Sequence, residues 1–346
     1  MDSNRLAFRQ WRMLSIPGFH VYRRRPTSFL LQSEVDTSVE LFGQKYPNPL
    51  LMAPIGVQSI AHDDKETGLA EACAEVDVPY ILSTASGSSF EDVAASCGDG
   101  KKWYQLYWPK DNDITLSLLK RAKKNGFDAL VVTLDTWTLA WRPADLDTGY
   151  LPFIAGVGTE FGLSDPVFRA KFEDRSGSKV EDARLEASRE WIQGIFGANR
   201  TWDDLGFLRK NWNGPLILKG IQHVEDAKAA LKHGCDGIVV SNHGGRQLDG
   251  AIGSLEVLPE IVDAVGKDMT VLFDSGIRTG SDIVKAISLG AKAVLVDRPV
   301  MFGYAINGKQ GAKEVMQGLL ADFHLSMAIA GIPSIGDCHR EVLRKV

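Results

Sequence analysis

A base, a guanidinium, a carboxylate and three glycines fall within ten consecutive residues, Ser241-Asn242-His243-Gly244-Gly245-Arg246-Gln247-Leu248-Asp249-Gly250. His243 can take a proton near neutral pH. Arg246 offers a planar fork of donors that matches a carboxylate. The glycines let the backbone approach a bound ligand with no Cβ in the way. The stretch follows Gly237-Ile238-Val239-Val240, an apolar run rich in β-branched residues that reads as a buried strand. A lone His or Arg on a polar loop would say little. So many site-type residues at one strand end point to chemistry.

Other strand ends carry similar groups. Asp274-Ser275-Gly276-Ile277-Arg278-Thr279-Gly280 and Asp297-Arg298-Pro299 follow two further apolar runs. Glycine N–H groups and two arginines there suit a phosphate; an inter-loop salt bridge is the alternative. Lys219 ends another run and would meet an anion or a polarised ring. Asp135 could orient His243, hold its tautomer and stabilise the imidazolium. Arg142 could join Arg246 in holding an acidic substrate, and Tyr107 could bond a substrate hydroxyl. A base, two arginines and a separate phosphate site suggest proton abstraction from a small hydroxy acid beside a phosphorylated cofactor.

The elements that must position these groups form a rhythm that begins after residue 48. The strands expected are Leu50 to Pro54, Pro79 to Ser83, Trp103 to Tyr107, Ala129 to Thr133, Leu216 to Lys219, Gly237 to Val240, Thr270 to Phe273 and Ala293 to Val296. Amphipathic stretches separate them, among them Lys65 to Val76, Thr115 to Lys124, Val224 to Lys232, Leu255 to Val265 and Ser281 to Leu289. Eight strands alternating with helices predict an α/β TIM (β/α)8 barrel, residues 48–335 of a single domain spanning 1–346. Chemistry in such a barrel sits at the C-terminal strand ends. The unit after strand four is irregular. Thr201 is a plausible N-cap for its helix, but about 143–200 is an insertion. A mobile surface loop and an active-site lid are both open readings of it.

Composition narrows the class. The chain has 346 residues, 44% hydrophobic and 24% charged, with a formal net charge of −5. That balance does not suggest nucleic acid or an anionic membrane as partner. Arg23-Arg24-Arg25 reads as a solvated turn before Pro26. Cys73, Cys97, Cys235 and Cys338 form no CxxC pair and no zinc spacing, so no metal site is expected and a reducing compartment fits. No run is long enough to span a bilayer and no signal peptide is evident, which leaves the cytoplasm as the default.

From about Ala7 to Ile335 the motifs resemble the FMN-dependent 2-hydroxy-acid oxidase and dehydrogenase family, with Ser241 to Gly250 as its signature. The resemblance implies a TIM barrel, bound FMN, a homotetramer and oxidation of an (S)-2-hydroxy acid with O2 as acceptor. It implies His243 as catalytic base with Asp135 as its partner, and Arg246 and Arg142 on the substrate carboxylate. Tyr107 would stand beside the reacting hydroxyl. Ala53, Pro54, Ile55, Ser83, Gln105, Thr133, Lys219 and Ser241 would line the flavin ring and ribityl chain, with Lys219 at the N1–O2 edge. Asp274, Ser275, Gly276, Arg278, Asp297 and Arg298 would serve the ribityl and phosphate end. Within the family, Asp135-Thr136-Trp137, Trp141 to Leu146, Gly149-Tyr150-Leu151-Pro152 and Asp165 to Arg169 most resemble the lactate 2-monooxygenase branch. Ala85, where glycolate oxidases carry tryptophan, suits lactate-type enzymes. In that branch Tyr150, Pro152 and Phe153 would close the pocket.

Two departures bear on function. The family opens with a helical segment bearing a tyrosine that binds the substrate carboxylate, and this sequence starts inside the following segment. Tyr22 comes too late in the pattern to replace it. A raised KM for small acids is the expectation. The family also has glycine where Asp297 stands, so a carboxylate there should repel the phosphate unless it points away. A flavin-binding protein with weak or lost catalysis, a member with a changed larger substrate, and another phosphate-binding barrel enzyme are the rival readings. His243 with Arg246 argues against the last.

Overall fold

In each of eight short strands, successive side chains face two different cores, as the two-residue period of a strand requires. The strands of this computed structural model, which describes residues 19–24 and 35–345, are β1 (Leu50–Met52), β2 (Tyr80–Ser83), β3 (Lys102–Leu106), β4 (Leu130–Thr133), β5 (Leu216–Ile221), β6 (Gly237–Val240), β7 (Thr270–Phe273) and β8 (Ala293–Val296). They pair in parallel in chain order, and β8 pairs with β1 to close the barrel. Leu51, Ile81, Trp103, Val131, Ile217, Val239, Leu272 and Leu295 form one cluster inside it. Their neighbours Met52, Leu82, Tyr104, Val132, Leu218, Ile238, Phe273 and Val294 join the larger cluster under the helices. The TIM barrel expected from the rhythm is therefore the fold.

A hairpin of Val39–Leu41 and Gln44–Tyr46 shares the inner cluster. Phe42 and Tyr46 set their rings edge-on to Trp103, at 5.9 and 6.5 Å between centroids. Trp103 and Gly237, which Phe42 also approaches, lie at the N-terminal ends of β3 and β6. The hairpin thus plugs that end and leaves the opposite mouth for chemistry.

Several boundaries differ from the sequence expectation. The helix expected from Thr115 starts at Asn112, because the Asp111 carboxylate accepts the N–H groups of Asp113 and Ile114 at 2.8 and 3.3 Å. Strand β5 runs on to Ile221 through an irregularity at Gly220. Tyr22–Arg24 form not a turn but a strand, antiparallel to Leu343–Lys345; Ala7, Arg25 and Pro26 lie outside the described residues. Thr201 does start its unit: its N–H donates to Asp204 Oδ2 at 2.7 Å.

The insertion after β4 is largely helical, with Glu160–Ser164, Pro166–Ser176 and Arg184–Ile195 as its main elements. Phe161, Phe168, Phe172, Trp191 and Ile195 are buried among them. The Asp165 carboxylate caps Pro166–Ser176 and also accepts from Ser117 Oγ at 2.7 Å, pinning the insertion to a barrel helix. This part is built into the core. Before it, Trp141, Tyr150 and Ile154 remain exposed. Among the described residues no helix is long and apolar enough to cross a membrane.

Candidate active site

The inward register of the strands continues past their ends. Two residues beyond Leu51, Ile81, Trp103, Val131, Ile217, Val239, Leu272 and Leu295 stand Ala53, Ser83, Gln105, Thr133, Lys219, Ser241, Asp274 and Asp297. Two residues further along β3 and β4 come Tyr107 and Asp135. The period that fills the barrel with apolar side chains therefore brings these groups to its mouth.

Across β2 to β4 the polar side chains tie to one another. Ser83 Oγ donates to Gln105 Oε1 at 3.1 Å, and Gln105 Nε2 donates to Thr133 Oγ1 at 2.8 Å. All three are buried. Ala53 is buried as well, and it is followed by Pro54 and Ile55, whose carbonyl accepts from Gln58 Nε2 at 2.9 Å.

His243 Nδ1 lies 2.7 Å from Asp135 Oδ1. With Nδ1–H donated to that carboxylate, Nε2 is the basic nitrogen. Thr136 Oγ1 donates to the same Asp135 oxygen at 2.9 Å and lies 3.1 Å from His243 Nδ1. Burial opposes charge on Asp135, but the Lys219 charge and the His243 hydrogen bond outweigh it, so its carboxyl sits below the usual range. Gly220, at φ +102°, makes the room: a Cβ there would come within 2.8 Å of the Asp135 side chain. His243 itself is left-handed, at φ +56°. A non-glycine residue there costs about 1–3 kcal/mol, a strain found mostly at functional sites.

Lys219 is a buried cation, 3.1 Å from Asp274 Oδ2 and 3.0 Å from Ser241 Oγ. Burial disfavours its charge, but Asp274 and Asp135 more than restore it, and its proton is held more tightly than on a free lysine. Asp274 in turn accepts from Ser275 Oγ at 2.7 Å, and that hydroxyl accepts the Gly244 N–H at 3.0 Å. Tyr107 resists ionisation through burial, against the pull of the Lys219 charge. The Phe196 ring lies 5.2 Å from it and Phe153 lies 6.1 Å from Phe196, so the insertion covers this side of the mouth. Of the three residues expected to close the pocket, Phe153 reaches this cluster, and Tyr150 faces solvent.

Arg142 and Arg246 also converge. Arg142 Nε donates to the Arg246 carbonyl at 3.1 Å, and its Nη2 donates to Gln247 Oε1 at 2.5 Å. Gln247 Nε2 donates to the Asp135 carbonyl at 2.9 Å. Gln247 therefore fastens the loop bearing His243 to the loop bearing Asp135. Sequence reading missed Gln247 and Thr136 as site residues, although Gln247 sits inside the decapeptide and Thr136 adjoins Asp135.

At the far end of the mouth, Ser275 and Gly276 form a left-handed turn, at φ +75° and +103°. Arg298 Nη2 donates to the Gly244 carbonyl at 3.0 Å. Burial and then the Arg298 charge lower the Arg278 guanidinium's hold on its proton, so the two cations lie within electrostatic reach. The Asp297 carboxylate turns back on the chain: its Oδ1 accepts the Arg298 N–H at 2.5 Å.

This donor set fits FMN. A buried row of amide and hydroxyl groups, a buried lysine and a paired-arginine turn lie around one mouth, and Asp135 Oδ2 is buried with no hydrogen-bond partner among the described residues. An unpaired buried carboxylate oxygen is costly unless a ligand meets it.

Residues 16–345 match the family described as FMN-dependent dehydrogenase. Over its whole length the chain is 56% identical to an FMN-dependent alpha-hydroxy acid dehydrogenase of Penicillium citrinum, covering 83% of that protein. It is 42% identical to the L-lactate oxidase of Lysinibacillus sphaericus, over 88% of this chain and 77% of the relative. Among solved structures, an (S)-mandelate dehydrogenase mutant superposes with a TM-score of 0.83 at 33% identity, over 95% of this chain and 89% of that one. The lactate oxidase of Pediococcus acidilactici gives 0.82 at 32%, over 95% and 84%.

Proposed function

The chain belongs to the FMN-dependent dehydrogenase family, and on that footing we propose that it oxidises a lactate-like (S)-2-hydroxy acid with O2 as final acceptor. The observation that carries the reading is the His243–Asp135 couple, 2.7 Å apart, at the same mouth as two arginines and a buried lysine. Bound FMN supplies the acceptor for the two electrons that leave the alcohol. Ser83, Gln105, Thr133, Lys219 and Ser241 would hold its ring and ribityl chain, with Arg278, Arg298 and the Ser275–Gly276 turn at its phosphate.

The chain's own groups do the rest. Arg246 and Arg142 bind the substrate carboxylate and place the α-carbon. His243 Nε2 takes a proton as the hydroxy acid becomes a 2-oxo acid. Asp135 stabilises the imidazolium, and Thr136 keeps the carboxylate in place. Tyr107 hydrogen-bonds the reacting hydroxyl. The Lys219 charge favours negative charge developing beside it.

The products depend on how long the 2-oxo acid stays. Early release gives the oxo acid and hydrogen peroxide. Retention lets peroxide attack the oxo acid, so that lactate and O2 give acetate, CO2 and water. The insertion's packing over Tyr107 supports retention, the lactate 2-monooxygenase outcome. A homotetramer is part of the same proposal; exposed Phe302 and Ile306 before a kink at Asn307–Gly308, and exposed Leu325 and Ile329 on the helix after it, support self-association.

The test begins with the visible spectrum, which should show bound flavin that bleaches on anaerobic addition of L-lactate. A yellow protein that bleaches with no 2-hydroxy acid would refute the catalytic reading. Aerobic turnover without catalase then separates the products: acetate and CO2 from the earliest times support retention, and equal pyruvate and peroxide make the protein a plain oxidase.

A further inference from the structure

The two arginines of the substrate clamp already share a carboxylate. Asp145 Oδ2 lies 3.8 Å from Arg142 Nη1 and 3.6 Å from Arg246 Nη2. Asp145 stands on the short helix Pro143–Thr148, where its own N–H donates to the Arg142 carbonyl at 3.0 Å. The guanidinium of Arg142 is fixed from behind by the Arg246 carbonyl and Gln247, which leaves Nη1 turned to Asp145. Both ion-pair distances exceed hydrogen-bonding length. The carboxylate therefore balances the two charges without forming the bidentate bond of which a guanidinium is capable.

We propose that Asp145 is a resident counter-ion of the clamp, and that a substrate carboxylate binds by taking over its place on Arg246 and Arg142. Asp145 thereby sets the affinity for small 2-hydroxy acids and their anionic analogues. It does so by competition, without touching the reacting atoms. The inference rests on the reading of Arg246 and Arg142 as the carboxylate site.

Oxalate titration of the FMN-loaded protein, followed by flavin absorbance at low salt, tests this without turnover. Asp145→Asn should bind oxalate about two- to five-fold more tightly, the range for loss of one part-exposed ion pair. Asp145→Glu keeps the charge and should stay near the parent, which also guards against failure of the short helix to form. Asp147→Asn removes an exposed charge from the same helix and should change nothing. Unchanged or weaker binding in Asp145→Asn overturns the inference. Equal tightening in Asp147→Asn or Asp145→Glu overturns it too, because the effect would then not belong to this carboxylate. Arg246→Lys separates the two levels. If it leaves oxalate affinity intact, the clamp reading itself falls. If it weakens oxalate while Asp145→Asn does nothing, only the counter-ion falls.

Discussion

Asp297→Gly should strengthen FMN retention, and the size of the gain follows from where the carboxylate sits. Asp297 Oδ1 accepts the Arg298 N–H at 2.5 Å, and its Oδ2 is 3.7 Å from where a Cβ on Gly244 would stand. It therefore lies among the groups proposed to meet the FMN phosphate. A phosphate oxygen competing for the same N–H would bring the two charges to about 5 Å. The Asp297 side chain is 36% exposed, so a water-like dielectric applies. At that separation each unit of phosphate charge costs about 0.8 kcal/mol, and a charge of −1.5 to −2 costs about 1.2–1.7 kcal/mol. Against this, glycine in place of an aspartate N-cap loses only a few tenths of a kcal/mol. The net expectation is an FMN Kd about five- to ten-fold lower in Asp297→Gly. The assay is titration of apoprotein with FMN, read by quenching of flavin fluorescence, at low salt and at about 0.5 M salt. Screening should shrink the gap between the proteins as salt rises. Equal Kd values at low salt, or a gap that ignores salt, would refute the electrostatic reasoning.

His243→Ala should keep FMN and lose about 10²–10⁴-fold in the rate of anaerobic flavin reduction by substrate, measured by stopped flow; a near-parental rate removes His243 as base. Asp135 has a folded-state pKa below its unfolded value, so it adds stability above the usual carboxylate range, and that stability is lost as pH falls through the lowered value. Thermal melts from pH 7 to pH 3 should therefore show a shallower acid loss in Asp135→Asn than in the parent, and parallel curves would contradict this. Trp191→Ala should destabilise the protein by about 3–5 kcal/mol, because the indole is buried beneath Phe168 in the insertion's own core. Denaturant melts check it, and a loss below 1 kcal/mol would mean the insertion packs far less tightly than the structure shows.

The barrel was legible because its strands are short apolar runs at regular intervals, and six of them end within a residue of expectation, at Ser83, Leu106, Thr133, Val240, Phe273 and Val296. The mouth was legible for the same reason, since strand parity assigns Gln105, Thr133 and Lys219 to the interior once the strands are known. The helix starting at Asn112 was missed at its first turn because capping depends on Asp111 and not on the apolar period. The insertion was harder. Its helix Pro166–Ser176 carries charges around two buried phenylalanines, so the charged run from Lys171 to Glu190 masks the face that packs. Gln247 and Asp145 were out of reach in a different way. Each joins loops about a hundred residues apart, Gln247 to Arg142 and Asp145 to Arg246, and no spacing in the chain records such a meeting.

Asp145 and Asp297 have a common physical logic. Each proposed anion site has two arginines beside it, Arg142 with Arg246 and Arg278 with Arg298. Burial and then the Arg246 charge weaken the proton affinity of Arg142, and Arg278 is affected in the same way by burial and by Arg298. A preorganised pair of cations is good for binding an anion because no reorganisation remains to be done at that moment. The same pair is a burden before the anion arrives, since like charges repel and both are partly desolvated. One carboxylate beside each pair, Asp145 beside Arg142 and Asp297 beside Arg298, relieves that repulsion in the ligand-free protein. The relief has a consequence of fixed sign. Whatever free energy the internal carboxylate contributes to the empty site must be surrendered when the ligand displaces it or must be endured when the ligand binds alongside. Removing either carboxylate should thus tighten its own ligand and loosen the ligand-free fold. A single substitution that improved both would show that the carboxylate was no counter-ion at all.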